Sequence, residues 1–100
     1  MSARVYWTRQ SREDLRAIRD FIARDAPKTA SAYIRRLRES VQRLYSLPYS
    51  GQVVPEIGRE EIREVIQGNY RIIYRVSDSR VEILTVYHGA RLLDESDIDA

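Results

Sequence analysis

From Ala30 onward an apolar side chain returns at every third or fourth position, through Tyr33, Ile34, Leu37, Val41 and Leu44. This rhythm matches the helical repeat and predicts roughly five turns with a single apolar stripe. Arg35, Arg36, Arg38, Glu39 and Arg43 fall largely off that stripe. A helix with one apolar side owes most of its stability to whatever covers that side. The fold is therefore constrained to a layered arrangement, and the rest of the chain must supply the second layer.

The segments on either side supply candidates. Leu15, Ile18 and Ile22 recur at helical spacing, flanked by Ala17 and Phe21. They predict an amphipathic helix over residues 12–24, with Ser11 as N-cap and Glu13 and Asp14 in its first turn. Asp25-Ala26-Pro27 stops it and starts the next, since proline is tolerated only in a helix's first turn. The two helices then form an antiparallel hairpin. Val5-Tyr6-Trp7-Thr8 reads as a short strand before them. Leu47-Pro48-Tyr49-Ser50-Gly51 ends the hairpin, and Val54-Pro55-Glu56-Ile57-Gly58 reads as loop. Strands are predicted over residues 62–66, 70–77 and 80–88, joined through Gln67-Gly68-Asn69 and Asp78-Ser79. The order β-α-α-β-β-β predicts an α+β fold, a helical hairpin packed on one face of a mainly antiparallel sheet.

One hundred residues predict one domain over residues 1–100, with residues 92–100 as an acidic tail carrying Asp94, Glu95, Asp97 and Asp99. The absence of cysteine excludes disulfides and thiolate metal sites or nucleophiles. No run approaches the ~18 apolar residues of a membrane span, so the expectation is a cytoplasmic protein. The net charge of +2 conceals an asymmetry. Through Tyr45, ten Arg and Lys28 face five acids, a surplus of six; from Ser46 onward six Arg face ten acids, a deficit of four. Such a basic half points to an acidic protein or a nucleic acid as partner.

With Asp78 and Ser79 at the turn, Val76 should oppose Val81, Tyr74 oppose Ile83, and Arg71 oppose Val86. Opposed residues share a face. One face then holds Tyr70, Ile72, Tyr74, Val76, Val81, Ile83, Thr85 and Tyr87, and belongs beneath the helices. The other holds Arg71, Ile73, Arg75, Glu82, Leu84 and Val86, with His88 at the strand end. Apolar side chains among arginines describe a surface that something else covers. A one-residue slip in either strand would dissolve this pattern.

His88 is the only histidine, the one side chain that titrates near neutrality unperturbed. With Arg71 and Arg91 it could cleave RNA, His88 moving the proton and the arginines stabilising charge on the scissile phosphate; alternatively it only hydrogen-bonds at the sheet edge. Arg63, Arg71 and Arg75 could bind phosphate or an acidic partner, or pair with Glu64 and Glu82. One histidine cannot make a metal site by itself, no metal or cofactor is expected, and no phosphate-binding loop, catalytic triad or helix-turn-helix is visible.

Several short series now fall in order: Asp14-Leu15-Arg16-Ala17-Ile18, Ala30 with Tyr33 and Leu37, Leu47-Pro48 with Gly51, Pro55-Glu56, and Ile62-Arg63-Glu64. Tyr70-Arg71-Ile72-Ile73-Tyr74-Arg75-Val76, then Val81 through His88, and Arg91 complete them. From Val5 to Leu93 the chain resembles the RelE/ParE toxin superfamily. The resemblance implies a cytoplasmic toxin, neutralised by an antitoxin whose flexible segment wraps it in a hetero-oligomer. On that reading Arg63, Arg71, Ile73, Arg75, Leu84 and Val86 would be partner-binding. ParE-like members poison DNA gyrase and RelE-like members cut messenger RNA on the ribosome, so the shared fold does not choose between them. The RelE pattern carries several Lys and Arg near the strand face; here Lys28 is the only lysine and lies at the start of the second helix. Only a partial nuclease set remains, in His88, Arg71 and Arg91, and the chain is closer to the ParE-like pattern.

Overall fold

Strand β1, Arg4–Trp7, runs straight into helix α1, Arg9–Ala23, through Thr8. The computed structural model describes residues 2–98, so Asp99 of the expected tail lies outside the described residues. Thr8, rather than Ser11, caps α1: its hydroxyl accepts from the Ser11 N–H at 3.2 Å and donates to the Ile83 carbonyl at 2.6 Å. The helix starts three residues earlier than Ser11 suggests, because Thr8 stands at the strand end where its hydroxyl reaches both elements. Ser11 becomes a buried residue inside the helix. Glu13 and Asp14 therefore fall beyond the first turn.

Helix α2, Pro27–Glu39, has proline in its first turn, as expected. It ends sooner than its apolar rhythm. The Ser40 hydroxyl donates to the Leu37 carbonyl at 2.7 Å, and a 3-10 turn over Gln42–Tyr45 follows. The tighter turn still delivers Val41 and Leu44 to the interior, at 2 % and 0 % exposure. Periodicity survives although the α-helix does not.

Four further strands follow: β2 (Gln52–Val53), β3 (Ile62–Gln67), β4 (Tyr70–Ser77) and β5 (Arg80–His88). The sheet order is β1-β5-β4-β3-β2; β1 lies parallel to β5 and the other pairs are antiparallel. The short β2, which falls between the segments 47–51 and 54–58 and was not expected as a strand, pairs Gln52 with Glu64 and Val53 with Arg63. At the Asp78-Ser79 turn, Asp78 takes the left-handed conformation at φ 51°, which aspartate tolerates better than most residues.

The register near that turn is the expected one, with Val76 opposite Val81 and Tyr74 opposite Ile83. A β-bulge then leaves Leu84 without a ladder partner, so that Ile73 faces Thr85, Ile72 faces Val86, Arg71 faces Tyr87 and Tyr70 faces His88. Beyond the bulge the β5 side chains exchange faces relative to expectation. Val86 joins Ile72, Tyr74, Val81 and Ile83 in the core beneath Leu15, Ile18 and Leu37. Tyr87 turns to the opposite side.

That opposite side carries a second, smaller core. Ile62 and Ile73 are covered by Val54 and Ile57 from the loop after β2, and by Leu93 and Ile98 from the C-terminal segment. The surface expected to await another polypeptide is thus partly filled by the chain itself. Glu95–Asp97 forms a 3-10 turn closed by reciprocal Asp94 and Asp97 caps. The acidic tail is anchored through its two apolar residues.

Candidate partner and target site

Arg71 reaches from β4 into the second face and is 7 % exposed. Its Nε donates to Glu64 at 2.6 Å, while Nη1 and Nη2 donate to the two oxygens of Glu56 at 2.7 and 2.9 Å. Nη1 also donates to the Arg91 carbonyl at 3.1 Å. This is a bidentate pair with a second carboxylate attached, the geometry for which guanidinium is best suited. Arg71's hydrogen bonds, opposed by burial, hold the Glu56 carboxyl at about 2 against an ordinary 4.5. The same bonds raise Arg71 above its ordinary value. Glu56 also accepts from the Leu93 N–H at 3.0 Å, so the trio fastens the C-terminal segment to the sheet.

The proposed catalytic set is not brought together on one face. His88 pairs with Tyr70, and its ring meets the Tyr70 ring edge-on at 5.6 Å, on the helical side of the sheet. Tyr33 stacks edge-on against Tyr70 in turn, at 5.7 Å. His88 Nδ1 accepts from the Ala90 N–H at 3.3 Å. Arg91 stacks over the Tyr87 ring at 4.2 Å. His88 and Arg71 do border a common cleft at the strand ends, with Glu56, Glu64, Ile66 and Leu92. Its charged lining is two carboxylates against one guanidinium, which disfavours a phosphate. Among the described residues no group of three His, Asp or Glu is placed to hold a metal ion.

The residues expected to bind a partner are scattered by the bulge and the second core. Ile73 is fully buried, and Val86 lies beneath the helices. Arg63 shares a face with Tyr74 rather than Ile73; its guanidinium donates to the carbonyls of Glu60, Tyr49 and Gly51. Arg75 and Leu84 stay on the second face, partly covered. Sequence reasoning missed Ile66 and Leu92, which stand 59 % and 79 % exposed beside the cleft. The signal for Leu92 was an apolar residue opening an acidic stretch; nothing marked Ile66 among the alternating residues of β3.

A second cluster lies at the bulge. Asp14 of α1 accepts from the Thr85 hydroxyl at 2.5 Å and from the Val86 N–H at 3.0 Å. Beside it the Tyr87 hydroxyl donates to Asp97, and burial followed by that carboxylate pushes the phenol up to about 12. These contacts tie α1, β5 and the C-terminal turn into one corner.

The family model for the ParE toxin of the type II toxin–antitoxin system parDE matches residues 5–93. The chain belongs to this family. It is a type II toxin, and its partner is an antitoxin. The toxin is 36 % identical over 90 residues to Toxin RelE2 of Caulobacter vibrioides, covering 90 % of this chain and 99 % of that protein. Its fold matches a chain of the chromosomal ParDE system from P. aeruginosa with a TM-score of 0.74 at 22 % identity, over 87 % of this chain and 96 % of that one. It also matches a chain of the RelBE2 toxin–antitoxin complex from Mycobacterium tuberculosis, with a TM-score of 0.59 at 25 % identity, over 88 % and 99 %. No helix of the toxin among the described residues is long and apolar enough to cross a membrane.

Proposed function

We propose that this toxin arrests growth by binding DNA gyrase in the cytoplasm, not by cutting RNA. The observation that carries this reading is the state of Arg71. Its guanidinium is committed to Glu56, Glu64 and a backbone carbonyl, so it has little left for a scissile phosphate. A nuclease also needs its proton-transfer group and its charge-stabilising group around one reacting atom. Here His88 and Arg71 project from opposite faces, and Arg91 is held on Tyr87.

Purified toxin should inhibit gyrase supercoiling of plasmid DNA, with the transcripts of arrested cells left intact. Intact supercoiling at a large excess of toxin, together with cleaved transcripts, would transfer the function to the RNA-cutting reading. In the same cells His88→Gln and Arg91→Ala should retain toxicity, because neither residue carries chemistry on the gyrase reading.

For the antitoxin, the supporting features are the uncovered parts of the second face. Ile66 and Leu92 present apolar surface at the cleft, and the same face carries the half-buried Leu84 and Arg75. A flexible segment laid along them would bury the apolar side chains and form the toxin–antitoxin hetero-oligomer. Arg71 and Ile73 contribute by shaping this surface from beneath rather than by touching the antitoxin, and Val86, in the core under the helices, takes no part in it.

A further inference from the structure

The far side of the molecule carries a different surface. In the groove between α1 and α2, Arg12, Arg16 and Arg19 line one wall and Arg38 the other, over Leu15 and Ile34. All four arginines are exposed. No carboxylate lines the groove. Arg19 has one exposed partner, Asp20 at 3.6 Å; Arg12 donates to the Trp7 carbonyl at 3.1 Å; and Arg38 lies over the Trp7 ring at 5.8 Å. The Arg16 side chain makes no hydrogen bond or ion pair among the described residues. Four like charges converge here with a single exposed carboxylate, Asp20, beside one of them; they repel one another, and their repulsion is relieved by an anionic ligand.

We propose that this groove binds the phosphodiester backbone of duplex DNA without regard to sequence. The inference goes beyond the gyrase reading and does not depend on it. The spacing along α1 sets the backbone positions of Arg12, Arg16 and Arg19 about 6 Å and then about 4.5 Å apart along the axis, a row from which long side chains can reach successive phosphates on one strand. Guanidinium groups also engage phosphate oxygens bidentately.

The rival occupant is an acidic peptide, and the groove lacks what such a peptide needs. Specific protein partners anchor through a few well-buried apolar or aromatic side chains in pockets. In this groove Leu15 is already buried at 3 % exposure and Ile34 is half-buried against the core, whereas the exposed apolar side chains Phe21, Ile66 and Leu92 stand elsewhere. Charge without an apolar anchor describes a ligand that is all charge.

The test is fluorescence anisotropy of a labelled DNA duplex titrated with full-length toxin across a salt series, without gyrase. Dissociation constants in the range of about 1–100 μM at physiological salt are expected. The logarithm of affinity should fall with the logarithm of salt at a slope of roughly −3 to −4, from about −0.9 per neutralised phosphate. Arg16→Ala with Arg19→Ala should reduce that slope by about two, while Arg16→Lys with Arg19→Lys preserves it. Both pairs are on the surface, so circular dichroism should show unchanged folding. Equal affinity and slope in the alanine pair would overturn the proposal, as would tighter binding of polyglutamate or single-stranded RNA than of the duplex. Because gyrase is absent, failure here leaves the gyrase reading untouched, and a negative supercoiling assay leaves this proposal untouched.

Discussion

Replacing Glu56 by glutamine removes one charge from the trio and leaves the shape of the side chain almost unaltered. Glu56 is 20 % exposed along its side chain, so its interaction with Arg71 is only partly screened by water. A carboxyl held at about 2 against an ordinary 4.5 corresponds to about 3 kcal/mol, at 1.36 kcal/mol per pKa unit. The folded-state value lies below the unfolded one, so this stability is present above the unfolded value and is lost as pH falls toward the folded one. Glu56→Gln should therefore cost about 3 kcal/mol near pH 7, or a melting temperature about 12–24 °C lower for a domain of this size. The difference from wild type should shrink to about 1.5 kcal/mol near pH 3 and nearly vanish as the pH approaches 2. Urea melts of both proteins at a series of pH values measure this directly. A gap below ~1 kcal/mol at neutral pH, or one unchanged from pH 7 to pH 3, would refute the coupling argued for Glu56 and Arg71.

Three further outcomes follow from single contacts. A Cβ on Gly51 would come within 2.5 Å of the Glu64 carbonyl oxygen and 2.6 Å of the Tyr74 hydroxyl, so Gly51→Ala should destabilise by about 1–3 kcal/mol in a denaturant melt. Tyr87, pushed up to about 12 from 10, contributes stability that is present below about pH 10 and lost as pH rises toward 12; Tyr87→Phe should flatten the alkaline loss in a thermal-melt pH series. Ile66→Asp with Leu92→Asp should raise the antitoxin dissociation constant at least tenfold by calorimetry, and an unchanged constant would remove the cleft rim from the interface.

The fold was legible where local chemistry is sufficient. Asp78-Ser79 fixed the last hairpin because two polar turn residues separate two alternating runs, and Pro27 fixed the start of α2. The bulge was not legible. Ile83, Leu84 and Val86 are all apolar, so either face would accept them, and the choice is made by Asp14 binding Thr85 and Val86 from another element. The site suffered from the same cause. Arg71 was readable as a charged residue on the second face, but its partner Glu56 lies fifteen residues away in a loop whose path no period announces. Nor did the acids around Leu93 and Ile98 hint that those two side chains would close the second core.

The bulge also explains why the start of α1 is where it is. With Leu84 outside the ladder, the carbonyls of Ile83 and Leu84 both come within reach of the Thr8 hydroxyl, at 2.6 and 3.1 Å. The irregularity in β5 and the beginning of the helix are thus a single joint, and neither can loosen alone. Amide exchange at the first turn of α1 and at residues 83–86 should then proceed at matched rates, as one cooperative opening of the molecule's corner.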